Sequence, residues 1–242
     1  MANRKRVAIK RLRQSIALAN LAYAQNPTSE AKASNIELPV VSSVLVVLRY
    51  VNRDGGNCWD VLLTLRSNHL RFHRGLVCLP GGKAEPGEGF VECALREAHE
   101  EIGLASTSVE VVGLAPPTMT LPKVCVWPVI AVLNKSVELK ANPMEVRDVF
   151  WMPLSKFQEL DAHRSPHHSF ISMHYFDYTC PLTQSVYTVW GLTARLLILI
   201  SSLAFQTVPQ FSLCNSNQFN YSFLKKYFAD ESYMIQLLVS KL

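Results

Sequence analysis

Apolar and polar positions along the chain change period several times, and the changes mark its elements. Val41 to Val51 and Trp59 to Thr64 are rich in Val and Leu and predict two strands. Between them Asn52-Arg53-Asp54-Gly55-Gly56-Asn57 is a turn signal that makes the pair a hairpin. From Val91 the period lengthens. Val91, Ala94, Leu95, Ala98 and Ile102 stand at i, i+3, i+4, i+7 and i+11, one apolar stripe of a helix that Gly103 stops. Beyond it, Val109–Leu114, Val124–Leu133, a short Phe150–Met152, Phe170–Tyr178 and Val186–Trp190 predict strands, and 155–160 and 192–204 predict helices. Strands alternating with helices predict an α/β or α+β sandwich.

The ends differ from the middle. Residues 1–24 predict a basic helix with Ile9, Leu12, Ile16 and Ala19 on one side, and 26–35 a polar linker. Gln206 to Tyr221 is polar and irregular, and Phe223 to Val239 predicts a last amphipathic helix. Leu196 to Phe205 is apolar but too short to span a membrane, and extending it back to Trp190 takes in Arg195.

With 49% apolar and 18% charged residues, 242 in all, the composition is that of one well-buried domain. The net charge of +5 is concentrated at the start, where Arg4, Lys5, Arg6, Lys10, Arg11 and Arg13 face no acid. The remainder has 18 basic against 19 acidic residues, so its charge gives no argument for a nucleic-acid partner. An acid-free, Arg-rich start also has the composition of a mitochondrial presequence, although an ordinary surface helix accounts for it equally simply. The six cysteines form no C-x-x-C pair and follow no secretory segment, so reduced, packed thiols are expected, not zinc ligands.

Candidate chemistry gathers on the Val91–Ile102 helix. Glu97, Glu100 and Glu101 share an arc of roughly 100° beside the apolar stripe. Three carboxylates so placed repel one another unless they simply face water, or unless a hard divalent cation binds them. Eight of the ten glycines lie between Gly55 and Gly103, around this segment. Gly82, five residues, Glu88, seven residues, then Arg96-Glu97-Ala98-His99-Glu100-Glu101-Ile102-Gly103-Leu104 resembles the Nudix hydrolase box across 23 positions. Ala98 stands where many members carry a bulkier aliphatic residue.

That resemblance implies a mixed sheet between helices, with Mg2+ or Mn2+ held against a diphosphate while water attacks phosphorus. It implies Glu97, Glu100 and Glu101 as metal ligands, one of Glu100 or Glu101 assisting the water, and Arg96 with Glu88 as the orienting pair. An acid outside the box, such as Glu145, is left open as the base. Gly81 and Gly82 let backbone approach the phosphates.

Upstream, Leu62-Leu63-Thr64-x-Arg66-Ser67, Arg71, Gly75 and Pro80-Gly81-Gly82 resemble the second motif of the coenzyme A diphosphatases within that family, with Leu79 where phenylalanine is usual. Arg66 and Arg71 are then expected at the substrate, above all at its separate 3′-phosphate, because a guanidinium fork suits phosphate oxygens; Arg74 is a weaker candidate. Glu145-Val146, Met152-Pro153-Leu154 and Trp190-Gly191-Leu192-Thr193-Ala194 extend the resemblance, with Trp190 expected in the core. ADP-ribose or dinucleotide cleavage is the enzymatic alternative, although the chain lacks the Ser-Gln-Pro-Trp-Pro-Phe run of NADH-cleaving members; a non-catalytic coenzyme A-binding module is the other. His163, His167, His168 and His174 show no ligand spacing and read as a substrate-facing loop.

The expected organisation is a basic helix and linker over 1–36, a Nudix domain over 37–205 and an extension over 206–242. That extension ends in Ser240-Lys241-Leu242, the tripeptide read by the peroxisomal import receptor. Peroxisome is therefore the expected location, with mitochondrion the alternative.

Overall fold

The computed structural model describes residues 2–25, 40–53, 56–120, 124–165 and 173–211. Its centre is an eight-stranded mixed sheet buried on both faces. Strands β1 (Val40–Arg53) and β2 (Gly56–Arg66) form the expected antiparallel hairpin. Strand β1 also runs parallel to β7 (Val124–Leu133), which pairs antiparallel with β5 (Val109–Leu114). The short β3 (Val77–Cys78) pairs with β2, β4 (Gly81–Lys83) with β1, β6 (Thr118–Thr120) with β7, and β8 (Val146–Pro153) with β2. Side chains alternate between two cores because successive residues of a strand point to opposite faces. Val46 and Leu48 of β1, Val61 and Leu63 of β2, and Ile130 and Val132 of β7 enter one; Leu45, Val47, Leu62, Val129 and Ala131 enter the other.

Each core is closed by helices. Helix α2 (Phe90–Ile102) covers the second with Ala94, Ala98 and Ile102. Helices α1 (Ala2–Gln25) and α3 (Gly191–Phe205) cover the first. The predicted side of α1 is the buried one, with Leu12 and Ala19 fully enclosed. Lys5 Nζ donates to the Leu133 carbonyl (2.9 Å), Asn20 Nδ2 to that of Leu114 (2.8 Å), and Arg13 pairs with Glu110. Truncating Leu12 to Ala would cost about 2–5 kcal/mol. A second, three-stranded sheet of β9 (His163–Arg164), β10 (Tyr175–Thr179) and β11 (Val186–Trp190) adds Phe176, Tyr187 and Val189 to the same core.

Several expectations change. The segment predicted as a helix over 155–160 is a single 3-10 turn over Leu154–Phe157, since two apolar residues three apart bury equally well in one tight turn. The strand predicted at Phe150–Met152 is longer, because β8 pairs with β2 along most of its length. Trp190 is not a core residue: it is 36% exposed and stacks on Tyr175, with centroids 5.7 Å apart. Its neighbours Tyr187 and Val189 take the inward positions, and the two-residue period turns Trp190 outward. His163 and His174, expected in a substrate-facing loop, pack against each other instead. Their rings lie 2.8 Å apart, Nε2 to Nδ1, against Phe211, and burial pushes His174 down to about 4. His167, His168, the helix expected over 223–239 and Ser240 to Leu242 lie outside the described residues. The five described cysteines are free thiols. No helix among the described residues is long and apolar enough to cross a membrane.

Candidate active site

The site begins with a turn. Pro86 and Gly87, the latter at φ +83°, occupy the centre of a turn closed by the Glu88 N–H on the Glu85 carbonyl (3.0 Å), the arrangement of a type II turn. Gly89 follows as the helix N-cap, and its N–H donates to Glu92 Oε2 (3.0 Å). Phe90 stacks on Trp127 of β7, 4.5 Å between centroids, which fixes where α2 leaves the sheet. At the other end Gly103 is left-handed (φ 66°), and its N–H with that of Leu104 caps the His99 and Ala98 carbonyls (2.9 and 3.3 Å).

Within this frame Arg96 is the hub. Its Nε donates to Glu88 Oε1 (2.7 Å) and its Nη2 to Glu88 Oε2 (3.0 Å) and the Lys83 carbonyl (3.1 Å). Its Nη1 donates to Glu97 Oε1 (3.1 Å) and Glu100 Oε2 (3.0 Å). One planar fork thus ties loop, strand β4 and helix together, a task a single ammonium cannot perform. The fork holds the Glu88 carboxyl down at about 2.

The three box glutamates do not share one environment. The Glu100 side chain is 52% exposed, Glu97 17% and Glu101 6%. Burial is the first cause that pushes Glu101 up to about 8; Arg66 opposes it with Nη1 3.9 Å from Oε1, the Gly81 backbone opposes it too, and the charges of Glu97 and Glu145 add to the rise. Burial raises Glu97 as well, against Arg96, with Glu100 and Glu145 contributing. Glu145 therefore belongs to the cluster, although more than forty residues separate it from Glu101 in sequence. The Asn142 N–H on the Glu101 carbonyl (2.8 Å) brings its loop there.

Gly81 and Gly82 have steric reasons to be glycine. Gly81 sits at φ +154° against β1, where a Cβ would lie 2.3 Å from the Ser43 carbonyl oxygen. A Cβ on Gly82 would lie 2.3 Å from Glu97 Oε1. Of the arginines, Arg66 is drawn in beside Glu101, and its Nε is buried without a hydrogen-bond partner. Arg71 and Arg74 are exposed on the loop between β2 and β3. Arg66 is thus placed at the carboxylates.

Among the described residues no three His, Cys, Asp or Glu side chains converge into a ready metal cage. The reason is visible in the contacts, since Arg96 engages Glu97 and Glu100 while Glu101 turns to Arg66. The donor set nevertheless fits a hard divalent cation: all oxygen, on adjoining helical turns, with two carboxyls pushed up first by burial and further by neighbouring carboxylates. A cavity of ≈ 400 Å³ lies elsewhere, between Arg4, Arg11, Tyr50, Trp59 and Phe205, and includes none of these groups.

The glycine-edged strand, the capped helix and the arginine-tied glutamates all lie within the span matched by the NUDIX domain model. That model matches residues 41–173, and the chain belongs to the family. Among relatives it is similar to Nudix hydrolase 22, chloroplastic, of Arabidopsis thaliana, 38% identical over 182 residues, 72% of this chain and 58% of that protein. Nudix hydrolase 15, mitochondrial, of the same plant is 39% identical over 160 residues, 62% and 55% of the two chains. Peroxisomal coenzyme A diphosphatase NUDT7 of Mus musculus is 33% identical over 165 residues, 66% of this chain and 69% of that one. The chain thus spans just over half the length of the two plant proteins, and its relatives' names place them in three compartments.

Proposed function

We propose that the protein hydrolyses the diphosphate of coenzyme A or an acyl-coenzyme A, giving adenosine 3′,5′-bisphosphate and 4′-phosphopantetheine or its acyl form. The observation that carries this reading is Arg66, brought by the coenzyme A-type motif to within 3.9 Å of Glu101 with a buried, unpartnered Nε. A buried donor without an acceptor costs free energy that a phosphoryl oxygen would recover. The mouse relative named for this activity supports the same reading.

Glu97, Glu100 and Glu101 would hold Mg2+ or Mn2+, which when bound neutralises phosphoryl oxygens and acidifies the attacking water. Arg96 keeps Glu97 and Glu100 aimed along the helix face, and Glu88 keeps Arg96 in place. Gly81 and Gly82 leave the strand edge clear for the diphosphate. Glu145 stands ready as an acid outside the box.

The test is incubation of the protein with Mg2+ and, separately, coenzyme A, acyl-coenzyme A, ADP-ribose and NADH, with products separated by chromatography. Coenzyme A compounds should give the two phosphates named above. Equal or faster cleavage of ADP-ribose would overturn the substrate while leaving the Nudix chemistry.

A further inference from the structure

The loop between β2 and β3 carries more than its role as a connection requires. It is a held structure. The Gly75 N–H donates to the Arg66 carbonyl (3.2 Å), Leu76 to His73 (3.4 Å) and Leu70 to Ser67 (3.4 Å). Ser67 fastens the loop to the segment before β8, with its N–H on the Glu145 carbonyl (2.8 Å) and its Oγ on that of Pro143 (3.0 Å). At the tip His73 has φ 57°, a left-handed conformation uncommon for a residue with a side chain. The loop so held presents Phe72 with 73% of its surface in water, flanked by Arg71, His73 and Arg74, all exposed. Neither Arg71 nor Arg74 forms an ion pair among the described residues. The loop's root is Arg66, beside Glu101.

An exposed phenyl ring between two free guanidinium groups is a particular combination. It is too small to be a protein-binding patch, which extends over hundreds of Å². An aliphatic chain would use the ring but leave both cations idle. A phosphorylated purine uses all three, its π-face on the ring and its phosphate oxygens on the guanidinium forks. Phe72 falls between Arg71 and Gly75, where the motif specifies no residue type.

We propose that Phe72 is a stacking platform for the purine ring of the substrate's adenosine 3′,5′-bisphosphate half, with Arg71 and Arg74 receiving its phosphate. This inference rests on the coenzyme A reading above. It assigns the adenine to the β2–β3 loop and leaves the pantetheine half on the opposite side of the diphosphate.

The experiment uses the full chain with Phe72→Ala, Phe72→Leu and Phe72→Trp. Base stacking on an aromatic side chain predicts about a tenfold rise in KM for coenzyme A in Phe72→Ala, with kcat within about twofold, and recovery in Phe72→Trp. Product inhibition by adenosine 3′,5′-bisphosphate should weaken in parallel, while inhibition by 4′-phosphopantetheine stays unchanged. In Phe72→Trp, adenosine 3′,5′-bisphosphate alone should quench indole fluorescence beyond any change in the parent protein. Unchanged KM in Phe72→Ala, equal weakening of both products, or full rescue by Phe72→Leu would overturn the platform. If the parent protein cleaves no coenzyme A compound yet the quench appears, the substrate reading falls and a purine platform stands.

Discussion

Removing the charge of Glu101 should stabilise the metal-free protein while abolishing its turnover. The side chain is 6% exposed, and its carboxyl is pushed up to about 8 from an ordinary 4.5, with burial the first cause. Between those two pH values the folded protein holds a proton that the unfolded chain has released. Stability therefore falls as pH rises through that window. At pH 7 the gap above 4.5 corresponds to roughly 3 kcal/mol at 1.36 kcal/mol per pH unit. Glu101→Gln has nothing to titrate, and its amide oxygen can still accept from the Gly81 backbone. The variant should melt higher at pH 7 in EDTA, by up to about 10 °C for a chain of this size. The advantage should vanish below about pH 4.5, where both states of the parent are protonated. Scanning calorimetry of both proteins from pH 4 to 8 measures it, and added Mg2+ should raise the parent's melting temperature at pH 8 but not the variant's. A variant that melts at or below the parent at pH 7, or a parent whose stability is flat from pH 5 to 8, would refute the burial argument.

Gly82→Ala should cut kcat by roughly a hundredfold with the fold intact by circular dichroism, since its Cβ would lie 2.3 Å from Glu97 Oε1 and move that carboxylate. Arg71→Ala should raise KM for coenzyme A more than for dephospho-coenzyme A; equal increases would remove it from the 3′-phosphate. Arg66→Ala, next to Glu101, should instead impair both substrates alike, and a selective effect on coenzyme A would contradict its placement at the diphosphate.

Legibility in the sequence followed the length of the pattern. Helix α2 and its Gly103 stop stand out because five apolar positions repeat before one glycine, and β1, β2, β5 and β7 because each is a Val- and Leu-rich stretch of six residues or more. Strands β3, β4, β6 and β9 span two or three residues, too few to show a period, and exist because longer partners extend past them. The 3-10 turn over Leu154–Phe157 carries the same spacing of apolar residues that a helix would. The outward turn of Trp190 was present in the alternation from Tyr187 through Val189, but the bulk of the indole outweighed it. The sequence leaves Glu145 open as the base without a position, because its proximity to Glu101 depends on a loop hydrogen-bonded to the end of α2. The triplet of glutamates was legible as a set, while the gradient from exposed Glu100 to buried Glu101 required the sheet underneath.

That gradient is where fold and chemistry meet. Ala94 and Ala98 are fully buried, and Glu101 lies seven and three residues beyond them, inside the apolar stripe and not beside it. The stripe's other buried members, Ala94, Ala98 and Ile102, are apolar, so the carboxyl contradicts the local pattern. Such a contradiction persists only where something offsets it. Arg66 at 3.9 Å and the Gly81 backbone offset it in part, and the carboxyl still stands at about 8. The remaining cost comes first from burial, with the charges of Glu97 and Glu145 adding to it. On the proposed reading, Glu97 and Glu101 would hold a divalent cation, which would offset that cost and neutralise a diphosphate as well. On the proposed reading, the cost of Glu101 in the metal-free protein would be the counterpart of metal affinity, and one pH titration of stability with and without Mg2+ tests both.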